Sequence, residues 1–447
     1  MAQDKRVIII GAGISGLAAA EKLGKAGIPV IVLEARNRIG GRIFTRRDAG
    51  IDAPIELGAE FIHGLPAETW DRLRKSEIEE VDGESWCVTG DRLSPCSFFS
   101  QVTSILDAMD DSEPDESFLA FLERKFPNPS HDPQLEQAKQ HAIGYVSGFN
   151  AADPGQVGVH WLVAEMRAEE KIQGDRAFRS KNGYTDLLDV FREQISHHNV
   201  AILTNTVVQS IAWKPGSVEV KSYAENGSST FAAPAVLVTL PLSLLKVSQE
   251  TGAVRFNPSL PPEKLEALNK LEMGKVMRVV LRFRNRFWDE MAPAGNGKKT
   301  LTDMSFLFTD DELFPTWWTT MPAKQPQITG WAPFRSGERL SGRDEATVVR
   351  QALKTLSSLL GVSMKNLESW MSGAYFHDWQ ADPFSRGAYS YGKVGADGAQ
   401  QMLAAPVANT LFFAGEATDT SGNNGTVHGA IASGYRAAEQ IVKAWQR

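Results

Sequence analysis

The sequence predicts an α/β fold, and three features near its N-terminus carry that prediction. An apolar run rich in β-branched residues, Val7 to Ile10, reads as a strand buried on both faces. The run stops at Gly11-x-Gly13-x-x-Gly16 and passes into an alanine-rich helical stretch, Leu17 to Lys25. A second apolar run, Val30 to Leu33, follows and ends on Glu34. Strand, glycine turn, helix, strand and acid at this spacing define a dinucleotide-binding βαβ unit.

Each residue type in the unit has a chemical reason. Gly11 permits the tight turn, and Gly13 brings the backbone to a pyrophosphate with no Cβ in between. Gly16 lets the helix lie close to the strand. The helix N-terminus around Ser15 then directs its N–H groups and dipole at the phosphates. Glu34 is placed to accept a hydrogen bond from a ribose hydroxyl.

The segment after the acid, Ala35-Arg36-Asn37-Arg38-Ile39-Gly40-Gly41-Arg42, resembles the E-A-R-x-R-x-G-G-R run of FAD-dependent oxidoreductases of the amine oxidase family. The resemblance implies FAD as cofactor in a Rossmann-like domain of the glutathione-reductase type, paired with a mixed α+β substrate domain. It also implies that Arg36, Gly41 and Arg42 contact the ribose or pyrophosphate.

A chain of 447 residues exceeds what one hydrophobic core usually supports, so two domains are expected. Their expected extents are 1–76, 182–257 and 383–447 for the cofactor domain, and 77–181 and 258–382 for the substrate domain. The composition, 42% hydrophobic and 23% charged, is that of an ordinary globular protein. A net charge of −7 argues against nucleic acid as the main partner and is compatible with a cationic substrate. Cys87 and Cys96 form no metal-ligand pattern and read as reduced thiols. The N-terminus shows no targeting segment, and no apolar run approaches membrane-spanning length, so a cytoplasmic protein is expected. The composition leaves the oligomeric state open.

Taken in order, Ile43 to Arg47 and Ile55 to Gly64 read as strands around a loop. The second run resembles the family's D/E-L-G-A segment, which places Gly58 and Ala59 beside the flavin ring and His63 near the substrate. From Ala67 to about Lys181 the pattern turns helical, and charged runs such as Arg167 to Lys171 read as solvated faces. Asn182-Gly183-Tyr184 returns the chain to the cofactor domain. Val200 to Val207, Val218 to Tyr223 and Ala235 to Thr239 read as strands there, and the resemblance puts the adenine beside Val208. Val276 to Phe283 is a strand ending at Phe287-Trp288, and later aromatics such as Trp317, Trp318 and Trp331 read as core. Near the C-terminus, Leu411-Phe412-Phe413-Ala414-Gly415-Glu416-Ala417-Thr418 precedes Thr426-Val427-His428-Gly429-Ala430. This pair of runs is similar to the FAD-closing segment of amine oxidases, polyamine oxidases and lysine-specific histone demethylases. Gly415 and Glu416 then meet the ribityl chain, and the N–H groups of Thr426 and Val427 face the flavin pyrimidine.

What the resemblance implies about chemistry is an oxidase that passes hydride equivalents from an amine-bearing carbon to flavin. The imine hydrolyses, and O₂ as acceptor yields H₂O₂. Ala388 takes the place of a flavin-attaching cysteine, so FAD is expected without a covalent bond. Arg278 stands where many relatives carry a lysine, and strand parity turns Lys275 to the other face. Tyr389 and Trp379 are expected to wall the substrate pocket, with Thr426 in place of a second ring. Glu60 near the mouth points to a polyamine-like or bulky amine with no α-carboxylate. An L-amino-acid oxidase with Arg278 as carboxylate anchor, and a flavin-fold binding protein without oxidase activity, are the alternatives.

Overall fold

The computed structural model describes residues 6–48, 53–74, 77–90, 92–127, 132–225, 227–295 and 298–446. Among these, five parallel strands form the first sheet in the order Val200–Leu203, Val30–Leu33, Val7–Ile10, Ala235–Val238 and Leu411–Phe413. The β-branched runs fit because both faces are covered. One face packs on the helices Ile14–Lys25, Thr185–Ser196 and Val427–Gln446. The other packs on an antiparallel layer containing Val208, Ile211, Val218 and Val220. The run expected to be continuous from Val200 to Val207 is interrupted at Thr204–Thr206, where Asn205 adopts φ 51°. That turn bonds back to the acid segment, Asn205 N to the Arg36 carbonyl and Thr206 N to the Glu34 carbonyl, both at 2.8 Å.

A second sheet of seven strands runs Met371–Phe376, Val276–Phe283, Gln327–Pro333, Thr316–Thr319, Met304–Phe308, Glu84–Thr89 and Arg92–Pro95. In Val276–Phe283 the odd residues Met277, Val279, Leu281 and Phe283 join the core against the helix Glu345–Leu360. The even residues Val276, Arg278 and Val280 face the other way, and Val280 packs on Ile55 and Leu57. The alternation expected along this strand therefore separates two buried faces rather than a dry one from a wet one.

The stretch read as helical from Ala67 to Lys181 does contain Phe98–Leu106, Phe118–Lys125, Pro133–Gly148 and Val159–Lys171. Its first part is instead a hairpin, Glu84–Thr89 with Arg92–Pro95, that extends the second sheet. Cys87 lies opposite Ser94 in that hairpin, and its sulfur is bonded to that of Cys96. The reading of both cysteines as reduced thiols is thus overturned. The hairpin brings two residues nine positions apart within 5.6 Å at Cα, a bonding distance for a disulfide. With it goes the ground for expecting a reducing compartment. Among the described residues no helix is long and apolar enough to cross a membrane.

Candidate active site

A cavity of about 1030 Å³ runs between the two sheets. One end is walled by Gly11, Gly13, Ser15, Glu34 and Val208, and the other by Arg278, Trp318, Trp331, Tyr389 and Glu165.

At the first end, backbone geometry dominates. Gly11 holds φ 104°, and a Cβ on Gly16 would lie 2.0 Å from the Gly11 carbonyl oxygen. A Cβ on Gly13 would meet nothing within 4 Å, because Gly13 faces the open cavity. The helix Ile14–Lys25 starts there with no acid in its first turn, a favourable setting for an anion. Glu34 is buried, and its carboxylate accepts from Ala12 N at 2.7 Å and Arg36 N at 2.9 Å. Ser15 Oγ lies 3.1 Å from Ser433 Oγ, tying the first helix to the last. Gly40 N donates to the Ala12 carbonyl at 2.8 Å, so Gly40 and Gly41 lie directly against the first turn. An elongated cavity with an open glycine at a helix N-terminus and an acid at the next strand end fits a dinucleotide.

The two arginines after the acid are held by protein partners. Arg36 pairs with Asp382 at 2.8 Å. Arg42 donates to the Ala388 carbonyl at 2.6 Å and to Glu416 at 2.9 Å. Glu416, implied as a ribityl contact, has its other oxygen taken by Ser390 Oγ at 2.6 Å and Gly425 N at 3.1 Å. All three side chains still line the cavity, where they hold its walls in register. Gly58 and Ala59 run beside Arg42, with Ala59 N on the Arg42 carbonyl at 3.1 Å. Gly415 N donates to Ser433 Oγ at 2.9 Å. Thr426 Oγ accepts from Gly429 N at 3.0 Å and caps the last helix, whose first residue, Val427, opens on the cavity.

At the second end, Arg278 is buried and turned into the cavity, as strand parity requires, while Lys275 pairs with Glu338 outside it. Arg278 donates to the Glu56 carbonyl at 3.0 Å and pairs with Glu60 at 3.3 Å. Its guanidinium lies 5.2 Å from the Trp318 ring and 5.6 Å from Trp331. Glu60 also binds Arg179 at 2.8 Å and accepts from Trp318 Nε1. The acid expected to meet a cationic substrate is therefore already neutralised by two arginines. Trp318 and Trp331, read from sequence as core, line the cavity, whereas Trp317 is core as expected.

Tyr389 and Trp331 share the small cluster of Ala151, Val276 and Ala388, so an aromatic other than residue 426 stands near the tyrosine. The Tyr389 hydroxyl donates to the Phe149 carbonyl at 2.6 Å, and Trp331 Nε1 to the Gly148 carbonyl at 3.0 Å. Trp379 is fixed by its Nε1 bond to the Leu57 carbonyl at 2.7 Å. His63 lines the cavity with its side chain exposed on the cavity surface, and desolvation by the surrounding protein lowers its pKa. His428 behind it is pushed down to about 3 by burial and then by His63. The charged run Arg167 to Lys171 is only partly a solvated face. Arg167 pairs outward with Asp111, but Glu165 and Glu169, one turn apart, face the cavity.

Fold and cavity define a two-sheet enzyme scaffold with a glycine-lined cradle at one end and an aromatic, mixed-charge chamber at the other. The model of the family described as flavin containing amine oxidoreductase matches residues 14–85 and 92–442, and the chain belongs to that family. It is 29% identical over 468 residues to lysine-specific histone demethylase 1 homolog 2 of Arabidopsis thaliana, covering 98% of this chain and 58% of that protein. It is 29% identical to polyamine oxidase 2 of Arabidopsis thaliana, covering 97% of this chain and 87% of the relative. A putrescine oxidase structure shares the fold at TM-score 0.79 and 20% identity, over 98% of this chain and 99% of the other.

Proposed function

We propose that the protein is an FAD-dependent amine oxidase acting on a small amine without an α-carboxylate. The observation that carries this reading is the single cavity surface joining the glycine cradle to the chamber of Tyr389, Trp318 and Trp331. FAD, when bound, would supply the two-electron acceptor for the hydride equivalents and would be reoxidised by O₂ with release of H₂O₂, while the imine product is hydrolysed separately by water. Gly11, Gly13, the N-terminus of Ile14–Lys25 and Glu34 would hold its nucleotide half. The Gly58–Ala59 segment and the start of Val427–Gln446 would face its ring system. Ala388 offers no nucleophile, so the cofactor is held without a covalent bond.

The chain's own residues orient the amine and keep the chamber dry. Tyr389 and Trp331 are fixed by hydrogen bonds to Phe149 and Gly148, so their rings are preorganised rather than ordered by substrate. Arg278 is a fixed cation, shared between Glu60 and two indole faces. An α-carboxylate would have to displace Glu60 to reach it, which supports the amine reading over the amino-acid one. The intact glycine cradle supports an enzyme over a cofactor-free binding protein. A polyamine oxidase among the relatives, and a structural neighbour described as bound to putrescine, agree with a small amine.

The test compares each amine with its carboxylated analogue, phenethylamine with phenylalanine and putrescine with ornithine, by flavin bleaching and H₂O₂ release. The amines should react faster in both pairs. Faster reduction by both amino acids would overturn the reading. Acid precipitation should leave all flavin in the supernatant.

A further inference from the structure

The disulfide between Cys87 and Cys96 closes the open end of a hairpin that leads directly into a wall of the chamber. Cys87 lies opposite Ser94, so its bond to Cys96 runs diagonally and holds the chain just past the end of Arg92–Pro95. Two residues on, the helix Phe98–Leu106 begins. Its N-cap, Ser97, makes no side-chain hydrogen bond to the first turn, so the usual local anchor of a helix start is missing. The covalent bond stands in its place. Phe98 stacks on Phe308 with ring centroids 3.9 Å apart, in the same buried cluster as Cys87. Phe99, 40% exposed, lines the cavity together with Val102 and Leu106. Its ring meets those of Phe306 at 5.8 Å and Phe149 at 5.9 Å, both edge to face. Phe149 is the residue whose carbonyl holds the Tyr389 hydroxyl. A line of chain and ring contacts therefore runs from the disulfide to the tyrosine of the chamber.

We propose that this disulfide is a redox-sensitive latch on the chamber: closed, it fixes the helix Phe98–Leu106 and the aromatic wall it carries, and opened by reduction, it lets them loosen and weakens amine binding. The hairpin ladder and the bond from Cys96 N to the Ser85 carbonyl at 3.0 Å do not involve the sulfurs, so reduction frees the helix start without unfolding the hairpin. Cys87 is 5% exposed and Cys96 is half-buried, so a reductant meets the bond from the Cys96 side. The thiolate of an external dithiol attacks the Cys96 sulfur and expels Cys87 as a thiolate, which takes a proton. The second sulfur of the dithiol then displaces Cys96, and the dithiol leaves as a disulfide. Two electrons and two protons have passed to the protein. Reclosure needs a two-electron oxidant, and H₂O₂ is sufficient. One cysteine thiolate attacks a peroxide oxygen to give a sulfenic acid and water, and the other thiol displaces a second water as the S–S bond forms. H₂O₂ is the co-product of the proposed reaction, so turnover drives the latch shut.

The closure by product rests on the amine-oxidase reading, and the test separates the two. The FAD-loaded full-length protein is compared in three states: purified in air, reduced with dithiothreitol and desalted, and reduced protein treated with H₂O₂ and then catalase. The chain has two cysteines, so free thiols should read zero, two and zero. Amide hydrogen exchange in Phe98–Leu106 should quicken about tenfold in the reduced state and return with H₂O₂. KM for putrescine and for phenethylamine should rise about fivefold on reduction, with kcat within about twofold. Cys87→Ser/Cys96→Ser should keep the reduced-state values through all three treatments. Two free thiols in the protein purified in air would overturn the latch, as would exchange and KM that ignore the change in thiol count. Thiols that persist in H₂O₂ would overturn closure by the product. If neither amine bleaches the flavin, the oxidase reading fails, and thiol count with hydrogen exchange on the wild-type protein still decides the latch.

Discussion

The two ends of the cavity are built on opposite principles. The nucleotide end is made of backbone: Gly11, Gly13, Gly16 and a helix N-terminus within one short stretch. The amine end is made of side chains drawn from remote places, such as Glu60, Glu165, Arg278, Trp331 and Tyr389. A backbone site depends on conformational permission and fails abruptly when a Cβ intrudes. A side-chain site depends on charge balance and changes by degrees. Substitutions at the two ends should differ in kind.

The largest expected effect separates two glycines of the first end. Gly16→Ala would place a methyl group 2.0 Å from a backbone oxygen, a clash costing at least about 3 kcal/mol, and should lose both flavin and thermal stability. Gly13→Ala meets no protein atom, so it should keep its melting temperature and lose flavin. Flavin-to-protein absorbance with thermal unfolding reads both. Equal melting temperatures for the two variants would erase the distinction drawn here.

At the second end, Glu60→Gln leaves Arg278 and Arg179 buried without their counter-charge and should lower unfolding free energy by about 3 kcal/mol. Denaturant titration checks this, with an unchanged slope required for the comparison. The smallest effect has the opposite sign. With its pKa raised from 4.5 to about 7, Glu169 holds a proton in the folded state that the unfolded chain releases. Its neutral form therefore favours folding at low pH, and that advantage disappears as pH rises from about 4.5 through 7. Glu169→Gln should match the wild type at pH 4 and exceed it by roughly 2 kcal/mol at pH 8. A variant no more stable at pH 8 would show that the acidic wall carries no strain.

The same contrast explains what could be read from the sequence. Gly11 to Gly16 and Glu34 were legible because a turn, a helix start and a strand end are local constraints. Arg278 was assigned to the site by its match to the family's lysine position, counted from Phe287-Trp288, and strand parity, which is also local, turned Lys275 away. Trp318 and Trp331 were not, because their direction depends on which strand lies beside Val276–Phe283. Glu169 was hidden inside a charged run whose other members do face solvent. Its spacing of four from Glu165, with no basic residue opposite, was the available signal. Glu60 misled because its two arginine partners are 119 and 218 residues away. The cysteines misled although Gly90-Asp91 between them is a hairpin signal in the sequence, because spacing alone does not say that the paired strands bring residues 87 and 96 together.

The cradle for the cofactor is completed by residues that are far downstream. Arg42 is fixed by Glu416, Ser15 by Ser433, and the outer strand beside Ala235–Val238 is Leu411–Phe413. Ribosomes deliver a chain from its N-terminus, so the glycine turn emerges early but cannot become a finished nucleotide site then. Some 400 further residues must be made first. Cofactor capture is in this way tied to synthesis through Ser433, and a chain stopped before it lacks the residues that close the cradle.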